Sequence, residues 1–68
     1  MDDRRYQRHD FNHGRSAIVL AYLQVNQAWT VFREDGEIAG NQRVHNDYAD
    51  ALEDYRNRVG FVIEMGAS

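Results

Sequence analysis

Residues 17–25 (AIVLAYLQV) form a run of aliphatic and aromatic side chains that predicts a strand. A second run, 28–34 (AWTVFRE), is rich in aromatic and β-branched types and predicts another. Only Asn26-Gln27 lies between them, short enough for a tight hairpin, although no Gly is present there to take a positive φ. Asp35-Gly36 is a stronger turn signal and leads into a third strand over 37–44. In that register Glu34 faces Glu37 across the turn, an unfavourable pair that argues for a shift of the pairing.

The period changes after residue 45. Tyr48, Ala51, Leu52, Tyr55 and Val59 recur at helical spacing, so 47–58 predicts an amphipathic helix. Asn46 or Asp47 can cap its start, acidic residues fill its first turn, Arg56 and Arg58 its last, and Gly60 can stop it. FVIEM at 61–65 then predicts a short final strand. The expected fold is α+β: a three- to four-stranded, mainly antiparallel sheet packed on one C-terminal helix, in the order β-β-β-α-β. Residues 1–15 hold few aliphatics and no clean period, and are expected to form an N-terminal arm that Tyr6 and Phe11 could anchor. Residues 16–68 are then a single small domain.

Strand alternation sorts the apolar residues onto two faces. Ile18, Leu20, Tyr22, Trp29, Val31, Ile38 and Val44 share one, the natural seat of the helix, with Gly40 opposite Val31. Val19, Leu23, Val25 and Phe32 share the other, with Ala21, Ala28, Ala39, Thr30, Asn41 and Arg43. One helix cannot cover both. The second face is therefore expected either to lie beneath the leading segment or to dock on a second copy or a larger protein target.

Composition narrows the chemistry. The 68 residues leave room for one core. Only 12 are Val, Ile or Leu, so that core is thin and association would help it. There is no Cys, and all eight Lys-or-Arg positions are Arg, so thiolate and Lys-based chemistry is excluded. No apolar run approaches the roughly 20 residues of a membrane-spanning helix, and a cytoplasmic location without membrane attachment is expected. His9 and His13 have the i, i+4 spacing of zinc ligands on a helix, but their segment lacks a helical pattern, so no metal or other cofactor is expected. Ser16, Thr30 and Ser68 are the only hydroxyl nucleophiles besides the tyrosines, and none lies in a nucleophile motif, so no enzymatic activity is expected.

Two charged features remain. Asp47, Asp50 and Asp54 would form a ridge on the helix opposite its apolar side, either a wet surface or a contact for a basic partner. Arg4, Arg5, Arg8 and Arg15 are interleaved with aromatics in the leading segment, a pattern that can stack on bases and pair with phosphates. The net charge of −3 and the acids among them weaken that field. The WTVxREDG hairpin (29–36) followed by an acidic amphipathic helix resembles very small phage and bacterial proteins, among them stoichiometric inhibitors of host machinery such as anti-CRISPR proteins. That resemblance implies a protein-binding inhibitor and transfers no residue roles. The expected contacts are Val19, Leu23, Val25 and Phe32 for an apolar surface, with Asp47, Asp50 and Asp54 for a basic one. The alternative is a homodimeric nucleic-acid-binding regulator that uses the four arginines.

Overall fold

A computed structural model describes residues 6–65. Four antiparallel strands, β1 (Gln7–Phe11), β2 (Ser16–Leu23), β3 (Ala28–Asp35) and β4 (Ile38–His45), form a meander in the order β1-β2-β3-β4. One helix, α1 (Tyr48–Glu64), packs across it. The α+β class with a C-terminal helix is as the pattern implied. The fourth strand comes from the other end of the chain, giving β-β-β-β-α.

The segment expected to be an arm contributes β1, with Gln7, His9 and Phe11 half-buried and Arg8 and Asp10 exposed. Its alternation is real, but two of its three inward side chains, Gln7 and His9, are polar. Gln7 satisfies its inward position by donating from Nε2 to the Tyr48 hydroxyl at 3.2 Å.

The β2–β3 connection is longer than the expected tight turn. Residues 24–27 form the loop, with Asn26 N–H donating to the Leu23 carbonyl and Gln27 N–H to that of Gln24. Only Gln27 takes a positive φ, 51°. A two-residue type I′ turn would need two such residues and no Gly is present, so the longer loop is less strained. Leu23 now pairs with Ala28. The two-residue shift preserves the alternation, so Ile18, Leu20, Tyr22, Trp29 and Val31 keep the face assigned to them.

At the β3–β4 turn Gly36 and Glu37 are the central residues, Gly36 at φ 65°, and Asp35 pairs with Ile38. Glu34 pairs with Ala39, which separates it from Glu37. Gly40 lies opposite Arg33, not Val31.

α1 begins at Asp47, whose extended backbone and carboxylate, accepting from Ala49 N–H at 3.3 Å, cap the first turn. The helix does not stop at Gly60, and 61–65 is not a strand. The 48, 52, 55, 59 period continues to Val62, which is 7% exposed within the core. Burying Val62 contributes about 1.5–3 kcal/mol, more than the roughly 1 kcal/mol that an interior Gly costs a helix. The last turn accordingly holds no basic residue.

The core joins Ile18, Leu20 and Val31 of the sheet to Ala51, Tyr55 and Val62 of the helix, flanked by Phe11, Trp29, Tyr48, Leu52 and Val59. Tyr22, Trp29 and Tyr48 form an edge-to-face series with ring centroids 5.4 and 5.0 Å apart. Among the described residues, no helix is long and apolar enough to cross a membrane.

Leu20 is fully buried and Val25 lies exposed in the β2–β3 loop. Leu20→Ala should destabilise by about 2–5 kcal/mol, whereas Val25→Ala should change stability by no more than about 0.5 kcal/mol. Equilibrium urea unfolding of the two variants checks both.

Candidate functional site

The face of the sheet away from α1 is not the open apolar surface that alternation suggested. Val19 is 2% exposed, Leu23 and Phe32 are half-buried, and Val25 has left the sheet for the loop. The register explains the burial. Arg8 lies opposite Val19, and Glu34 lies opposite Ala17. Arg8 donates from Nη1 to Glu34 and from Nε to Asp10, both at 2.9 Å, so the ion pair spans Ala17 and Val19. The arginine methylenes cover apolar surface while the guanidinium stays in water. Thr30, also fully buried on this side, accepts from Asn26 Nδ2 at 3.1 Å. Val19 is thus a buried packing residue in the chain on its own.

The acidic ridge is also divided. Asp47 is the helix cap, and Asp50 is exposed in the first turn. Asp54 is 17% exposed and turned to the sheet, where His45 Nε2–H donates to Oδ2 at 2.9 Å and Arg58 Nε–H to Oδ1 at 3.0 Å. Burial opposes ionisation of Asp54, but the hydrogen bonds and charges of His45 and Arg58 outweigh it and hold the carboxyl below its usual range. Both Asp54 carboxylate oxygens are therefore engaged within the chain.

Of the candidate nucleic-acid contacts, Arg4 and Arg5 lie outside the described residues. Arg8 is committed to Asp10 and Glu34, and Arg15 is exposed next to the β1–β2 turn, with its carbonyl accepting from Gly36 N–H. His9 is on β1 and His13 in the following turn at φ 60°, so their helical spacing is not realised. Among the described residues no group of three potential metal ligands converges. The Ser16 hydroxyl donates to Asp35 at 2.6 Å. That bond follows the one from Arg33 in holding the Asp35 carboxyl below its usual range.

What the linear pattern hid is a β-bulge. Val31 pairs with Arg43 but Arg33 pairs with Gly40, so Asn41 and Gln42 together oppose Phe32. Asn41 takes φ 54°, a left-handed conformation in which Asn is among the better-tolerated residues. The extra residue reverses the alternation of β4 beyond it. Val44 moves opposite Thr30, away from α1, and Arg43 and His45 turn to the helix side. Val44 and Arg43 had each been expected on the opposite face. A run of alternating strand residues gives no count of the residues facing it. The one visible cue was Asn41 next to Gly40 in mid-strand.

These side chains form a groove of about 520 Å³ between β4 and the second half of α1. Arg33, Arg43 and Arg58 line it, with Asn41, Gln42 and Asn57, above Ile18, Val62 and Phe61. Arg58 Nη1 donates to the Asn41 carbonyl at 2.7 Å, which ties the bulge to the helix. Arg33 donates from Nε to Asp35 and sits 5.1 Å over the Phe11 ring. Among the described residues Arg43 has no ion pair or side-chain hydrogen bond. Among the described residues no carboxylate lines the groove.

Two outcomes follow from this geometry. Asn41→Val should cost about 1–2 kcal/mol because a branched side chain is strained at that φ, while Asn41→Gly should be tolerated in the same urea titration. Asp54 has a folded pKa below its unfolded one, so its contribution is complete above the unfolded value of 3.8 and is lost as pH falls through the folded value. Asp54→Asn should therefore be less stable than the wild type at neutral pH by about 1–2 kcal/mol, a figure reduced for partial solvent screening. The gap should close in thermal melts at acid pH.

No family model matches this chain, and neither a curated protein nor a solved structure is significantly similar to it.

Proposed function

We propose that this chain is a small non-catalytic protein-binding module that acts by stoichiometric docking on a larger protein, in the manner of phage-encoded inhibitors of host machinery. The observation that carries this reading is the open groove between β4 and α1. Its charged and amide side chains are arrayed beside the outer edge of β4, which pairs with no other strand among the described residues. Exposed Phe61 borders the groove, and exposed Val44 and Ile38 stand on β4. Mixed polar and apolar side chains on an open surface suit a protein partner better than a small substrate, which binds best where it is enclosed. The hydroxyls of Ser16 and Thr30 are taken up in internal hydrogen bonds.

The alternative, a homodimeric nucleic-acid regulator, draws less support because Arg8 is neutralised by two carboxylates. Capture from a bacterial host lysate, followed by light scattering of the protein with the purified captured partner, tests the reading. A saturable complex of fixed stoichiometry is expected. A chain that retains no protein at micromolar concentration would overturn it, as would a homodimer that shifts nucleic acid at moderate salt.

A further inference from the structure

Resting on that reading, we infer that the β4–α1 groove is the docking site and that it receives an extended protein segment bearing carboxylate side chains next to apolar ones. The chain carries a net charge of −3, yet this groove is lined by three arginines, three side-chain amides and no acid. The three guanidiniums are not spent. Arg33 engages Asp35 through Nε alone, leaving both Nη groups without a bond among the described residues. Arg58 uses Nε and Nη1 and leaves Nη2. Arg43 keeps its whole donor fork.

Planar forks of N–H donors match carboxylates two bonds at a time, which favours an acidic side chain over a neutral one. Asp35 and Asp54 pair with Arg33 and Arg58 from outside the groove, and Asp50, Glu53 and Asp54 share an adjoining pocket with Arg43. An incoming carboxylate is therefore drawn by the N–H donors these acids leave open, above all those of Arg43. The floor of Ile18 and Val62 and the 64%-exposed Phe61 supply an apolar seat within the same groove. An acidic residue and an apolar neighbour can therefore be held together.

β4 sets the direction of the segment. Among the described residues its outer edge is unpaired, and the Asn41 bulge interrupts it in the middle. A segment lying along β4 can pair with main chain on either side of the bulge, but not continuously through it. Affinity must then come from the side chains that enter the groove. A nucleic acid fits less well, because its evenly spaced phosphates call for a longer basic stripe than one groove on an acidic chain.

The test uses a fluorescein-labelled twelve-residue peptide of Glu alternating with Leu and Phe, a twin with Gln in place of Glu, and labelled oligothymidylate, each followed by anisotropy at low salt. The Glu peptide should saturate, and the Gln twin should bind at least about tenfold more weakly, a loss of about 1.4 kcal/mol. Arg43→Gln should weaken the Glu peptide about five- to tenfold and Arg43→Glu further. The Arg43 side chain makes no bond among the described residues, so circular dichroism should show both variants folded. Equal binding of the two peptides would overturn the inference, as would full binding by Arg43→Glu or tighter binding of oligothymidylate.

The purified complex of the preceding section separates this failure from the wider one. If Arg43→Glu forms that complex unchanged, the docking function stands and the groove is not its site. If the wild type captures nothing, the function itself falls.

Discussion

One residue too many on β4, opposite Phe32, sets which side chains of this protein meet. A strand shows alternate residues to alternate faces, and a bulge reverses that rule for everything beyond it. Here the reversal carries Arg43 and His45 to the helix side and Val44 to the other. The His45–Asp54 bond exists only because of it, and so does the position of Arg43 in the groove. Arg58 then fastens the arrangement by bonding both Asp54 and the Asn41 carbonyl. The bulge, the strand beyond it and the middle of the helix are thereby one connected polar unit.

The same sheet settles the shortage of covering elements without a second helix. Its outer face carries mostly small side chains, and the largest burial there is under the Arg8–Glu34 pair and the Asn26 side chain. Long polar side chains act as roofing because their stems are apolar and their heads tolerate water. A 68-residue chain with few aliphatics can close both sides of its sheet this way while keeping its bulky aromatics for the helix side. What stays open beside the helix is the arginine-lined groove along β4, bordered by exposed Phe61.

The helix shows how competing local signals are resolved. Gly60 and the β-branched residues after it both favour an end near residue 59. Against them stands one further apolar position at helical spacing, Val62, with a place waiting beside Ile18. Burial outweighs propensity, and the helix runs on to Glu64.

The class of fold, the three longest strands, the start and inner face of the helix, and the helix-side residues of β2 and β3 are legible in the linear pattern, because side-chain periodicity is local and survives a two-residue error in turn length. The absence of thiolate and Lys-based chemistry follows from composition alone. That 7–11 is a strand became visible only in three dimensions, since two of its three inward residues, Gln7 and His9, are polar and become interior only when Tyr48 and the neighbouring strand meet them. The tertiary structure also decided that Val19 is roofed, that Asp54 turns inward, and that three arginines converge. Each of these depends on a pairing between residues distant along the chain, and on an extra residue whose presence can be counted only against the strand beside it.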